Sequence, residues 1–168
     1  MVSAPLMDRA MPDFTEAVTT AQSLERFPPF RYLGVRLLEL TDDWGRVRLL
    51  LPLNPDTMNP GGSMFGGSIA AVADPIAALA CHRRFPGYAV WTRELTLDFR
   101  RPGMSDLQLR FEFPQQAMER IAGELAGKGR STPLFEFGFY DTRERVVAWV
   151  YNRVAIRPKG STSPAHDG

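Results

Sequence analysis

The sequence has few of the side chains that build metal and redox sites. Cys81 is the only cysteine among 168 residues, so neither an internal disulfide nor a cysteine-ligated metal cluster can form. The two histidines are His82 and His166, and the second lies in a polar tail. A Ser-His-Asp triad or a histidine-rich metal site would therefore depend on His82 alone. We expect no metal and no redox cofactor.

Strong charge and long apolar runs are also absent. The net charge of +1 creates no strong global field, which argues against nucleic acid or an anionic membrane as a partner. No apolar run reaches the ~18 uncharged residues of a transmembrane helix. Residues 1–14 contain no continuous apolar segment of the kind found in signal peptides. These absences predict a cytoplasmic protein.

The composition is that of an ordinary globular protein, with 44% apolar and 23% charged residues. Its length corresponds to one domain, which can bury roughly two thirds of its unfolded surface. We predict a flexible arm over 1–12, a single domain with an N-terminal helix over 13–157, and a disordered tail over 158–168. The tail is small, polar and rich in Pro and Gly.

Hydrophobic periodicity predicts an α+β fold. A helix over 13–27 should end at Pro28-Pro29, and a long Ala-rich helix should run from Ser63 or Gly67 to about Arg84. The other predicted elements are strands over 33–40, 46–53, 89–99, 107–113, 134–140 and 146–156 and a short helix over 115–126. In the strand over 89–99, alternation places Trp91, Arg93, Leu95, Leu97 and Phe99 on one face. Hairpins between most strands predict an antiparallel sheet, with the long helix covering its buried face.

Three ordered motifs suggest a family. They are Met58-Asn59-Pro-Gly-Gly-Ser-Met-Phe65-Gly66-Gly67, then Val72-Ala73-Asp74, then Leu97-Asp98-Phe99-Arg-Arg-Pro102-Gly103. Together they resemble hotdog-fold acyl-CoA thioesterases, with the phenylacetate-pathway group as the nearest type. The short motifs Phe-Gly-Gly-Ser and Ala-Asp-Pro, together with the helix over 115–126, resemble those of a poorly characterised bacterial branch of that superfamily. The resemblance covers roughly residues 30–157.

The resemblance implies the hotdog fold, an antiparallel six-stranded sheet wrapped around the central helix. It implies a homodimer or a tetramer, and an acyl-CoA substrate whose coenzyme A is not a separate cofactor. Family members often carry His where this sequence has Phe65, and that position contributes mainly through its backbone. Because the imidazole is missing, a non-catalytic acyl-CoA-binding protein is the alternative to a thioesterase. A hotdog hydratase would need a His near Asp74, and none has the right spacing.

The glycines Gly66 and Gly67 are the first candidate site. Backbone N–H groups at a helix N-terminus are unpaired and carry partial positive charge, so they can stabilise the oxyanion of a thioester tetrahedral intermediate. In the simpler interpretation, the glycines only let the chain turn tightly into the helix.

Asp74 is the second candidate, because a carboxylate in an otherwise apolar helix costs free energy unless it is paired or functional. It can act as a nucleophile or as a general base toward water. The alternative is a surface aspartate or one bonded to an arginine. Gly67 and Asp74 are seven residues apart, hence about 10 Å along one helix. One thioester carbonyl cannot touch both, so the spacing predicts a composite site at a dimer interface.

Four further residues are candidates. Asn59 could orient water or the thioester, or it could bond its own turn. Arg93, Arg100 and Arg101 could bind the phosphates of coenzyme A, although exposed arginines are common. Cys81 and His82 are adjacent on a helix and point in different directions, so they do not form a nucleophile–base pair. The pocket is predicted to be apolar and narrow, opening near Asn59 and Gly67, with Ile69, Ala73, Ile76 and Ala77 among its walls.

Overall fold

The computed structural model of the protein describes residues 21–160. The predicted arm, the first part of the predicted helix over 13–27 and most of the predicted tail lie outside these residues. The described elements, in chain order, are α1 (Ala21–Arg26), α2 (Pro28–Leu33), β1 (Arg36–Leu40), β2 (Arg46–Leu51), α3 (Gly66–Arg84), β3 (Tyr88–Phe99), β4 (Leu107–Glu112), α4 (Gln115–Lys128), β5 (Leu134–Tyr140) and β6 (Val146–Pro158).

The six strands form one antiparallel sheet in the order β1-β2-β4-β5-β6-β3. The inward side chains of β2, β4, β5 and β6 are buried apolar residues that make one core with α3. The predicted antiparallel sheet around a long helix is therefore confirmed. β3 follows the central helix and lies at the sheet edge, paired only with β6 among the described strands.

Helix α3 buries one stripe rather than most of its surface. The buried residues recur at positions 68, 69, 72, 73, 76, 77, 80 and 81, the spacing of one helical face. The opposite stripe is only partly buried although it is mostly apolar, and Asp74 lies in it. No helix in residues 21–160 is long and apolar enough to cross a membrane.

The first elements differ from the prediction. Helix α1 ends at Arg26, before Pro28-Pro29 as predicted, but the two prolines then begin a second helix, α2, because a residue in the first turn of a helix needs no N–H. Gly34 ends α2 in the left-handed conformation, with φ of 69°. As a result β1 begins at Arg36 instead of residue 33. At the other end of the chain, β6 extends through Pro158, one residue into the predicted tail.

The predicted alternation of β3 is wrong in its first half. Thr92 pairs with Val154 and Glu94 with Arg153, so Arg93 is the extra residue of a β-bulge. The bulge shifts the alternation by one residue. Thr92 therefore lies on the helix-facing side with Leu95, while Trp91, paired with Ala155, lies on the outer side.

The turn between β5 and β6 is built on the carboxylate of Asp141. Its side chain is only 5% exposed. The carboxylate accepts hydrogen bonds from the backbone N–H of Arg145 (2.9 Å), from the backbone N–H of Arg143 (2.9 Å) and from Arg145 Nε (2.8 Å). These bonds, with that from the Arg145 amide the largest cause, lower the pKa of Asp141 to about 2.

Acid should therefore destabilise the fold through this turn. A carboxyl whose pKa is lowered in the folded state contributes stability above its ordinary pKa of 3.8 and loses that contribution as the pH falls toward 2. We expect the melting temperature to fall between pH 4 and pH 2. Asp141→Asn should lower the melting temperature at pH 6 and flatten this acid decline. An equally steep decline in the variant would assign the acid sensitivity to other carboxylates.

Candidate active site

Helix α3 begins with free backbone donors. Phe65 is the N-cap in an extended conformation and supplies no side-chain cap, and its carbonyl accepts from the N–H of Ser68 (3.0 Å) and of Ile69 (3.3 Å). Within residues 21–160, the N–H groups of Gly66 and Gly67 have no hydrogen-bond partner. Two unpaired donors at the positive end of a helix can bind a carbonyl oxygen or an oxyanion.

A cleft of about 470 Å³ opens beside this helix start. It brings together four of the predicted site residues, Asn59, Gly66, Arg100 and Arg101. The other residues that line it are Ser63, Met64, Ile69, Phe99, Pro102, Gly103 and Val147.

The predicted apolar pocket is only partly correct. Ile69 lines the cleft, but Ala73, Ile76 and Ala77 are fully buried in the core between α3 and the sheet. Arginine, asparagine and serine side chains share the cleft wall with apolar ones. The extra helix α4 adds Ala117, Ile121 and Leu125 to the core and contributes nothing to the cleft lining.

Asn59 holds its own turn. Its Oδ1 accepts from the N–H of Gly61 (2.9 Å) and of Ser63 (3.2 Å), and its Nδ2 donates to Ser63 Oγ (2.9 Å). The amide oxygen is therefore occupied, as expected for an asparagine that bonds its own loop. Ser63 was not predicted as a site residue, yet it lines the cleft, and within residues 21–160 its hydroxyl hydrogen has no acceptor and is available as a donor.

Two phenyl rings flank the helix start. Phe65 is 55% exposed and Phe99 is 54% exposed. A Cβ on Gly66 would come within 3.0 Å of Phe99 Cζ, and a Cβ on Gly67 would collide with the ring of Phe65. A side chain on either glycine would therefore push an exposed phenyl ring aside, and the ring of Phe65 lies against Gly67.

Asp74 lies outside the cleft. Its side chain is exposed and makes no hydrogen bond or ion pair with any other residue that the structure describes. Its main-chain carbonyl, in contrast, accepts from Thr92 Oγ1 (2.8 Å) and Asn152 Nδ2 (3.0 Å). Pro75 follows inside the helix, and its ring disfavours the regular ladder at this point. Two strands thus fix the backbone of Asp74 while its carboxylate points into solvent.

Asn152 is a buried polar residue whose amide is only partly hydrogen-bonded, and this predicts the effect of replacing it. Its side chain is fully buried, and its Oδ1 is buried without a partner in residues 21–160. Asn152→Leu would remove one hydrogen bond of ~1 kcal/mol and also an unpaired buried carbonyl that costs ~1–3 kcal/mol. We expect an unchanged or higher melting temperature together with about tenfold slower turnover, because Asp74 loses one anchor.

Thr92→Val is the matched comparison for this prediction. It removes the other hydrogen bond to the Asp74 carbonyl, but it does not remove the unpaired Oδ1 of Asn152. Because no gain offsets the lost bond, the melting temperature of Thr92→Val should fall. Melting curves and steady-state kinetics of both variants provide the measurement. If Asn152→Leu were less stable than wild type and retained full turnover, Asn152 would serve the core and not Asp74.

The three predicted arginines occupy two places. Arg101 is exposed on the cleft wall, and Arg100 pairs with Asp98 (2.9 Å) and lies 5.4 Å from the ring of Trp149. Arg93 is in the bulge, about 23 Å along β3 from Arg100. One protomer therefore cannot use Arg93 and Arg100 on the same phosphate.

Cys81 belongs to the core, as predicted. It is fully buried, and this burial raises the pKa of its thiol, so a thiolate nucleophile is disfavoured. No group of three His, Cys, Asp or Glu side chains in residues 21–160 is arranged to hold a metal ion.

Comparison with known proteins supports the fold. Residues 15–156 match the family model described as a domain of unknown function, DUF4442. A protein of unknown function and probable thioesterase from Pseudomonas aeruginosa superposes with a TM-score of 0.72 at 23% identity, over 85% of this chain and 93% of that one. Thioesterase HI1161 from Haemophilus influenzae gives 0.65 at 17% identity, over 89% and 95%.

The phenylacetic acid operon protein PaaI from E. coli gives a TM-score of 0.60 at 20% identity, over 88% of this chain and 96% of that one. At such identities the likeness establishes the fold alone, and the predicted hotdog fold is confirmed. No curated protein matches the chain.

Proposed function

The chain belongs to the DUF4442 family, and we propose that it is a cytoplasmic thioesterase that hydrolyses an acyl-CoA to a free acid and coenzyme A. The observation that carries the proposal is the pair of N–H groups at Gly66 and Gly67 that have no partner within residues 21–160, with Gly66 lining the cleft and Gly67 next to it in the chain. Such donors stabilise the charge that develops on a thioester oxygen during attack. The thioesterases among proteins of the same fold support the same chemistry.

The proposed active site is shared by two subunits. In one protomer Asp74 is displaced along α3 from the free N–H groups by about 10 Å, too far for one carbonyl to contact both. Among the strands of residues 21–160, β3 leaves one edge unpaired beside Asp74, and the partly buried apolar stripe of α3 lies on the same side as that carboxylate. Symmetric pairing of β3 would satisfy the edge and bring a second Asp74 toward the cleft.

The chemistry then needs no metal or redox group. The Gly67 N–H polarises the thioester carbonyl, and the carboxylate of Asp74 from the other subunit takes a proton from water as the water oxygen bonds to the carbonyl carbon. The carbon–sulfur bond breaks, and the coenzyme A thiolate leaves and regains a proton. Alternatively Asp74 attacks directly, and water hydrolyses the resulting anhydride.

A thiol-release screen against a panel of acyl-CoAs, combined with light scattering, tests this proposal. We expect release of free thiol by at least one member and a dimer or tetramer at micromolar concentration. A stable monomer in light scattering would exclude an active site shared by two subunits.

A non-catalytic acyl-CoA-binding protein is the second candidate, and the ring of Phe65 over Gly67 favours it. In that case no thioester would be turned over, although acyl-CoA would still raise the melting temperature through mass action.

A further inference from the structure

The wall of the cleft beside α3 offers few free acceptors. Among residues 21–160, no aspartate or glutamate lines this cleft. The amide oxygen of Asn59 is occupied within its own turn. The carbonyl of Val147 accepts from the N–H groups of Arg100 (2.8 Å) and Arg101 (3.3 Å). A ligand in the cleft therefore finds little to which it could donate.

The same wall keeps several donors free. Within residues 21–160, the N–H of Gly66 has no acceptor, and the hydroxyl hydrogen of Ser63 has none either, since its oxygen accepts from Asn59 Nδ2 (2.9 Å). In that part of the chain the guanidinium of Arg101 forms no ion pair and no hydrogen bond. Free donors, one of them charged, suit a guest that is rich in acceptors and negatively charged.

Arg100 does not belong to this set of free donors. Its Nε donates to Asp98 (2.9 Å), and its guanidinium lies 5.4 Å from the ring of Trp149. Asp98 and Trp149 are paired across β3 and β6, on the side of the sheet that faces away from α3. The guanidinium of Arg101 is therefore the one that is left for a ligand of the cleft.

A thioester carbonyl would use only part of these donors. Its oxygen is bound by N–H groups at the start of α3, which leaves the Ser63 hydroxyl and Arg101 without an acceptor. A carboxylate on the acyl group has two oxygens and a full charge, so it can accept from both. The phosphates of coenzyme A fit less well, because the pantetheine arm separates them from the thioester, whereas Arg101 and Gly66 line the same cleft.

The apolar part of the cleft suits the carbon chain between the two ends of such a group. Met64 and Ile69 are buried, Phe99 is half-exposed, and all three line the cleft. The cleft volume of about 470 Å³ lies in the lower half of the range for small-molecule sites, about 300–1,000 Å³, which favours a short chain.

We propose that Arg101 and Ser63 bind a carboxylate at the far end of the acyl group, so that the substrate is the coenzyme A monothioester of a short dicarboxylic acid. The inference rests on the proposed function and names its substrate class. Hydrolysis then adds water across the carbon–sulfur bond and releases a dicarboxylic acid and the coenzyme A thiol. Arg101 is thereby assigned to the acyl group and not to the coenzyme phosphates expected from the sequence.

Paired substrates of equal carbon number test this inference. The ratio of kcat/KM for succinyl-CoA to that for butyryl-CoA, or for glutaryl-CoA to that for pentanoyl-CoA, should exceed about ten in wild type, as expected for a charge-assisted hydrogen bond. Arg101→Gln should lower this ratio about tenfold, and Ser63→Ala should lower it by a smaller factor, because a neutral donor is lost. Arg36→Gln is the matched control, because Arg36 is exposed on β1 at the opposite edge of the sheet.

The pattern across the variants separates the roles that Arg101 could have. Equal losses with both members of a pair in Arg101→Gln would place Arg101 on the coenzyme and overturn the inference. It is also overturned if wild type shows no preference for the dicarboxylic substrate at either length, or if Arg36→Gln changes the ratio as much as Arg101→Gln does.

Isothermal titration separates this inference from the proposed function. If only uncharged acyl groups are hydrolysed, the thioesterase stands and the carboxylate site is refuted. If no acyl-CoA releases thiol, the thioesterase is refuted, and titration with the same four acyl-CoAs decides the carboxylate site alone. Tighter binding of the dicarboxylic ligands by wild type, lost in Arg101→Gln, supports the site, whereas equal affinities within each pair overturn it.

Discussion

Asp74→Asn is expected to lower turnover of an acyl-CoA by at least ~100-fold, the low end for a lost general base. The substitution keeps the shape of the side chain and removes its negative charge. The exposed carboxylate has no partner in residues 21–160, so little stability should be lost with it. Substrate affinity should change little, because Asp74 acts on the reacting water or carbonyl carbon and not on the bound coenzyme.

Thiol release measured under saturating substrate, with melting temperature and light scattering on the same samples, distinguishes the possible roles. Asp42→Asn is a matched control, since Asp42 is exposed in the β1–β2 turn and its side chain forms no hydrogen bond or ion pair within residues 21–160. A purely structural Asp74 would shift melting temperature or dimerisation and leave turnover intact. Hydrolysis that survives unchanged in Asp74→Asn would exclude this site assignment but leave the fold untouched.

Gly67→Pro should slow turnover by ~10²–10³ relative to Gly67→Ala, the loss found when one oxyanion donor is removed. Proline deletes the N–H but breaks no helical hydrogen bond, because Gly67 lies in the first turn of α3. Gly66 before it has no Cβ, which relaxes the restriction on the residue that precedes proline. Alanine adds a Cβ and keeps the donor, so the comparison isolates the N–H.

Both substitutions are best made in a Phe65→Ala background, since any Cβ at position 67 would collide with that ring. Pre-steady-state and steady-state thiol release should both show the difference between the proline and alanine proteins. Equal rates would mean that the Gly67 N–H does not contact the reacting oxygen, and the Gly66 N–H would become the remaining donor of the pair.

Much of the fold could be predicted from periodicity. The predictions of α3, β4 and β5 depend on the local spacing and density of apolar residues, and the structure confirms those elements. The bulge at Arg93 could not be predicted, because it arises where β3 follows β6 and no residue type marks it. That single extra residue turns Thr92 toward Asp74.

The site was harder to predict than the fold. The glycines and Asp74 were found through a motif, but the cleft lining depends on how the loop after β3 meets the start of α3. Asn152 had a usable signal that was overlooked, a lone amide on the helix-facing side of an apolar strand.

The proline inside α3 also changes how that helix is held in the fold. Pro75 has no amide to donate to the carbonyl one turn earlier, so the helical ladder is interrupted between the segment that starts at Gly66 and the segment that ends at Arg84. The sheet holds the helix at this same turn, because Thr92 and Asn152 donate to the carbonyl of Asp74, the residue before the proline. Two bonds from neighbouring strands thus support the backbone where the helix loses one of its own.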